Sequence, residues 1–158
     1  MNEPYEASEN RLLAFFAFDV AVFSLWMLAG SISAQASTEN PPQIISGVTE
    51  QGFPYITGGI GGEEREIMQT RAGDYNLKLT FAEASGEYLS DVELSIMRDG
   101  REMVRRTANG PWFYVELPPG RYTVNATYKD ETREIKNLQI TEGGRVTRFV
   151  NWDSQEES

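Results

Sequence analysis

The 158-residue chain contains neither His nor Cys and carries 24 acids against 14 bases, a net charge of −10. This composition excludes imidazole general bases, Ser-His-Asp and Cys-His nucleophiles and the usual zinc sites. It also lacks the surplus of Lys and Arg that a nucleic-acid partner or an anionic membrane surface requires. The length allows one domain with extensions, and a domain of this size folds on its core without disulfides, so the missing Cys leaves the compartment open.

Residues 12–30, LLAFFAFDVAVFSLWMLAG, are apolar except for Asp19 and Ser24. The SISAQA that follows presents Ala34-Gln35-Ala36, the small-x-small pattern of a signal-peptidase site. Residues 1–36 therefore read as a secretory signal peptide or a membrane anchor. The leader's Glu3, Glu6 and Glu9 against the single Arg11 depart from the positive charge a signal prefers. The run is long enough to span a bilayer, yet Asp19 near its middle is costly in a membrane helix. A buried helix is the third reading. The first two send the rest of the chain across a membrane, to the periplasm or medium after cleavage near Ala36, or to a tethered position with residues 37–158 outside the cytoplasm. Removal of residues 1–36 leaves a net charge of −7, so the mature chain stays acidic.

Residues 37–52, opening with STENPPQ, read as a polar linker. In 53–73, Gly58, Gly59, Gly61 and Gly62 precede EEREIMQTR, helix-forming and acidic in its first turn. This predicts a glycine-rich turn and a short helix ending near Ala72-Gly73.

From Asp74 the hydrophobic period becomes two. YNLKLTFAE places Leu77, Leu79 and Phe81 on one face, and LSDVELSIM does the same with Val92, Leu94 and Ile96. Asp99-Gly100 is a strong hairpin signal leading into REMVRRT. PWFYVEL, RYTVNATYK, TREIKNLQI and RVTRFVNW complete seven short strands over residues 74–152, the pattern of an immunoglobulin-like sandwich. The acidic end, 153–158, is expected to fray. In PWFYVEL, Glu116 shares its parity with Trp112 and Tyr114, so Phe113, Val115 and Leu117 form the core face. Pro118 stops that strand, and Gly120 is expected to supply the positive φ of a type II turn. Alternation then resumes with Tyr122, Val124, Ala126 and Tyr128.

These stretches, together with the Arg98-Asp99-Gly100 hairpin and above all LPPGRYTV, resemble the carboxypeptidase regulatory-like domain, a transthyretin-like β-sandwich module. The resemblance covers residues 55–152. YITGGIGGEEREIM also resembles a segment found before this domain in small exported proteobacterial proteins. The resemblance implies a seven-stranded immunoglobulin/transthyretin-like sandwich that is non-catalytic, an accessory domain outside the cytoplasm without a defined ligand. The catalytic zinc domain that accompanies the module in metallocarboxypeptidases has no counterpart in a chain without His.

Few residue sets could carry chemistry, and none implies a cofactor. The glycine run 58–62 could cradle an anion at a helix start, but no Lys follows at the phosphate-loop position and Glu63, Glu64 and Glu66 repel phosphate; it reads as a turn. Those glutamates with Asp74 could hold a divalent cation, but the spacing is not that of a calcium loop. The sequence shows no second carboxylate apposed to them for glycoside hydrolysis. Asn125-Ala126-Thr127 is a formal glycosylation sequon that falls inside a strand. Trp112 and Tyr114, with Tyr88 or Trp152, could form an exposed aromatic platform for an envelope protein or a glycan. Alternatively the 53–72 segment folds back over Trp112 and Tyr114, with Ile67 and Met68 packed on them. The expectation for the chain is an exported, non-enzymatic binding or accessory module of the bacterial envelope, with carbohydrate binding as the alternative.

The signal reading is checked by N-terminal sequencing of the protein recovered from the cell envelope. The expected mature terminus is Ser37, whereas an intact Met1 indicates a retained anchor.

Overall fold

The computed structural model describes residues 43–153. The signal or anchor expected at 1–36, the first part of the expected linker and the tail beyond Asp153 lie outside the described residues. Among those described, no helix is long and apolar enough to cross a membrane.

The fold is mainly β, two sheets packed face to face with one short helix. The strands are β1 (Ile45–Val48), β2 (Pro54–Gly58), β3 (Leu77–Glu83), β4 (Val92–Arg98), β5 (Arg101–Ala108), β6 (Trp112–Val115), β7 (Gly120–Tyr128), β8 (Glu131–Ile140) and β9 (Val146–Trp152). Helix α1 (Gly62–Arg71) lies between β2 and β3 and runs into a 3-10 turn over Ala72–Asp74. The five-stranded sheet has the order β1-β2-β6-β3-β9 and the four-stranded sheet β5-β4-β7-β8. All pairings are antiparallel except β3 with β9.

The seven strands expected from the alternation are β3 to β9, and the helix falls where the glycine run and acidic turn predict it. Two further strands precede the helix, so the described residues hold more than seven. Both were hidden by composition: ISGV and PYITG are short and carry Gly or Pro, which read as linker and turn. Tertiary pairing overrides that local signal, because β2 pairs with β6 from Tyr55 to Gly58.

The inward parities agree with the period-two pattern. Leu77, Leu79, Phe81, Val92, Leu94, Ile96, Phe113, Val115, Tyr122, Val124 and Ala126 are buried in one core, with Val150 and Trp152 from the last strand. Filling this space from both sheets is the main stabilising term, each fully buried large apolar side chain contributing about 1.5–3 kcal/mol. The Tyr122 hydroxyl donates to the Pro118 carbonyl at 2.7 Å and pins the Pro-Pro-Gly corner.

That corner differs from expectation in one respect. Gly120 is not among the positive-φ residues. It opens β7, and a Cβ there would stand 2.8 Å from the Arg98 guanidinium carbon, while that guanidinium lies over the Tyr122 ring. The glycine serves close approach, not turn chirality. The Asp99-Gly100 hairpin behaves as predicted, with φ of 52° and 75°, the signs of a type I′ turn.

The open side of the sandwich between β5 and β1 is closed by Arg106. Its position opposite Leu94 points it inward, its guanidinium lies over the Tyr55 ring, and it donates to the Val48 carbonyl. Asp153, the first residue of the acidic end, is held by Arg133 at 3.0 Å.

Candidate functional site

Strand β6 is central in the five-stranded sheet and short, so its alternation fixes what both faces of that sheet must accommodate. Phe113 and Val115 point to the core; Trp112 and Tyr114 point out. Cross-strand register sets two rows on this outer face. One runs Ile56–Tyr114–Lys78–Thr147, the other Gly58–Trp112–Thr80–Phe149.

Helix α1 covers the β2–β6 half of these rows. Met68 packs with Ile56, Tyr75 and Tyr114 into a second buried cluster, joined at its margin by Ile44, Ala72 and Trp112. Ile67, the other expected partner, is half-buried and outside that cluster. The helix is seated by Glu64, itself 8% exposed. Its carboxylate accepts the backbone N–H groups of Gln43, Gly59 and Ile60 at 3.0, 2.9 and 3.0 Å. This anion-binding turn is thus occupied by the chain's own carboxylate. Gly59 has φ 93°, and a Cβ there would lie 3.2 Å from the Trp112 ring. The glycine run is a structural turn, required by close packing on Trp112. At Gly110, which leads into β6, a Cβ would stand 2.5 Å from the Gly58 carbonyl oxygen.

The four aromatics proposed as a platform do not share a surface. Tyr114 is 6% exposed and Trp152 2% exposed. Trp152 packs in the core against Phe81 and Tyr128 and donates its indole N–H to the Glu131 carbonyl. Trp112 is half-buried, stacked on Tyr114 at 6.1 Å. Tyr88 is 50% exposed, but it lies beside Glu83, Glu87 and Lys129, at an isolated bridge to Ala82. The helix needed an apolar surface to cover, and the outward aromatics of β6 supplied it.

The β3–β9 half of the same face is left open. Phe149 is 65% exposed, the most exposed large apolar side chain among the described residues. It occupies the row of Trp112 and Thr80, roughly 10 Å from Trp112 at the ordinary strand spacing. Sequence reasoning overlooked it, although the signal was present. In VTRFVNW, Val146, Val150 and Trp152 share the core parity, while Phe149 sits with Thr147 and Asn151.

No group of three or more metal-binding side chains occurs among the described residues. Glu63, Glu64, Glu66 and Asp74 therefore do not come together as a cation cage. On the far side of the molecule, the outer face of the four-stranded sheet forms a shallow hollow of about 440 Å³, lined in part by Glu93, Ser95, Thr107, Asn125 and Thr127. Beside it the Arg105 guanidinium hydrogen-bonds Glu102 and holds that carboxyl below its usual range. Asn125, the sequon residue, belongs to this face, within β7.

Burial pushes the Tyr114 phenol up to about 12 and raises Tyr75 as well, the latter against the lowering field of Arg71. A phenol raised in the folded state contributes stability that is complete below its ordinary value near 10. That stability declines as the unfolded phenol ionises between about 10 and 12, by roughly 2–3 kcal/mol. Tyr114→Phe is expected to flatten the alkaline fall in stability over this window and to remove the last-titrating phenolate from the ultraviolet absorbance. Ionisation of every tyrosine near pH 10 in folded protein would contradict the burial.

No protein-family model matches this chain, and no curated protein matches it.

Proposed function

We propose that the chain is an exported, non-catalytic binding or accessory module of the bacterial envelope, and that it recognises a protein partner through the open half of its five-stranded sheet. One observation carries this reading: the row Trp112–Thr80–Phe149 ends in a phenylalanine that is 65% exposed on an edge strand. Leaving such a side chain in water forgoes about 1.5–3 kcal/mol of burial, and aromatics on a polar sheet face are enriched at interfaces.

The finer architecture we propose is the immunoglobulin/transthyretin-like sandwich of the carboxypeptidase regulatory-like domain, extended at its start by β1 and β2. Leu117, the Pro-Gly corner and Tyr122 support it, since Tyr122 is tied back to Pro118. Export is supported by the apolar run 12–30 and the Ala34-Gln35-Ala36 pattern. In that setting an accessory role needs a surface and no reactive groups.

A second reading, glycan binding, is favoured by a different observation. The hollow on the four-stranded sheet offers the hydroxyls of Ser95, Thr107 and Thr127 with the Asn125 amide, groups suited to sugar hydroxyls. It lacks an aromatic floor for stacking, which ranks it second.

Crosslinking and affinity capture from intact cells tests the leading reading, with wild type beside Phe149→Ser. A partner captured by wild type and lost from the variant, with an unchanged melting temperature, is the expected result. Equal capture by both proteins would remove Phe149 from the interface. Capture lost only from an Asn125→Ala variant would favour the glycan face.

A further inference from the structure

The open half of the sheet ends at β9, and the backbone there is as informative as Phe149. β9 runs parallel to β3. At one end the Val146 N–H donates to the Asn76 carbonyl, and at the other the Trp152 carbonyl accepts from the Ala84 N–H. In a parallel ladder this fixes the alternation. Residues 146, 148, 150 and 152 turn their backbone groups toward β3, whereas Thr147, Phe149 and Asn151 turn theirs away. No strand among the described residues pairs with that outer side.

Each of the other sheet edges carries a recognised protection against strand pairing. β1 is only four residues long. β5 faces a register shift between Ile96 and Met97 and carries Arg101, Glu102, Arg105 and the inward Arg106. β8 carries Glu131, Arg133, Glu134 and Lys136, and a register shift accompanies the positive φ of Asn137. β9 is the least protected: it has seven residues, an unbroken register, no Pro and a single charge, Arg148, and Phe149 stands on it exposed. The Arg148 guanidinium donates to the outward Thr147 carbonyl at 2.9 Å and must swing away for a strand to pair there.

We infer that β9 takes an added β-strand from another protein, and that the strand it fits is extended and alternates apolar with acidic residues. This rests on the protein-partner reading above and names the partner's chemistry. The residue opposite Phe149 shares its face and meets an aromatic, so it is apolar. Its neighbour lies across from Arg148, on the other face, and is acidic. Arg148 is exposed, whereas Lys78 lies over the Tyr114 ring on the Phe149 face and Arg145 donates to the Gly73 carbonyl. None of the three is in an ion pair among the described residues. The chain is acidic as a whole, but charges beyond about 8 Å are screened at physiological ionic strength, so Arg148, the charge on the edge strand itself, is the one the added strand meets. A second copy is the poorer occupant: β9 has no carboxylate to offer, and antiparallel self-pairing about Phe149 brings the two Arg148 side chains into diagonal reach.

The test uses the full-length chain in mild detergent and two labelled synthetic heptapeptides, Glu-Val-Glu-Val-Glu-Val-Glu and its Lys-for-Glu counterpart. Binding is read by fluorescence anisotropy and the site by amide hydrogen exchange. The Glu peptide is expected to bind about tenfold more tightly than the Lys peptide, to weaken with salt and to slow exchange over residues 146–152. Arg148→Glu, an exposed substitution, is expected to reverse the preference. Equal binding of both peptides, protection on β5 or β8 instead, or no protection overturns the inference. So does slow exchange of the Phe149 amide in the free protein, which would mean that a second copy or residues 1–42 already occupy the edge. If peptide binding fails while Phe149-dependent capture from cells persists, strand addition is overturned and the protein-partner reading stands; if both fail, both are lost.

Discussion

The alternation of one short strand, β6, governs the rest of the molecule. Phe113 and Val115 must enter the core between the sheets, and the same four residues therefore send Trp112 and Tyr114 to the opposite face. Two aromatics directed outward from a central strand need a cover, and the chain supplies one in α1, through Met68. The cover is held by a buried carboxylate. Glu64 gathers the N–H groups of Gln43, Gly59 and Ile60, so the approach to β1, the glycine turn and the helix start all converge on one side chain. Loss of that acceptor would strand the buried Gly59 donor, at a cost on the order of 1–3 kcal/mol, and would release the part-buried N–H groups of Gln43 and Ile60 to water.

The buried sheet partners of α1 are Ile56 on β2 and Tyr114 on β6, and none lies on β3 or β9. The division of the outer face into a covered and an open half follows from this geometry. It converts a structural device into a functional asymmetry: the aromatic at the covered end is packing, and the aromatic at the open end is available to a partner.

Much of the fold was legible in the sequence because β3, β4 and β7 alternate between apolar and polar residues over most of their length, and Asp99-Gly100 marks its hairpin without ambiguity. β1 and β2 were not legible, since Gly47, Pro54 and Gly58 suppress the local strand signal and only pairing with β6 makes strands of them. The role of Gly120 was misread for a related reason. A Pro-Pro-Gly corner invites a positive φ, yet here the constraint comes from Arg98, a residue 22 positions away whose approach no local pattern announces.

The site was legible only in part. The parity argument separated Trp112 and Tyr114 from the core face correctly, but parity cannot tell solvent from a helix packed on the second face. Trp152 shares its parity with Val146 and Val150, which already marked it as inward. Phe149 could have been found by the same reasoning that singled out Trp112, as an aromatic among Thr147 and Asn151. The open backbone edge of β9 could not, because strand order is a property of the whole sheet.

The central claim is the unequal cover of one sheet face, and hydroxyl-radical footprinting of the full-length protein tests it most directly. Met68 is intrinsically the more easily oxidised residue, so its protection is a stringent readout. The account predicts heavy oxidation at Phe149 with Met68, Tyr114 and Trp152 protected. Oxidation of Met68 and Tyr114 at rates matching Phe149 would show that the helix does not cover the sheet. Protection of Phe149 equal to that of Tyr114 would show that the open half is not open.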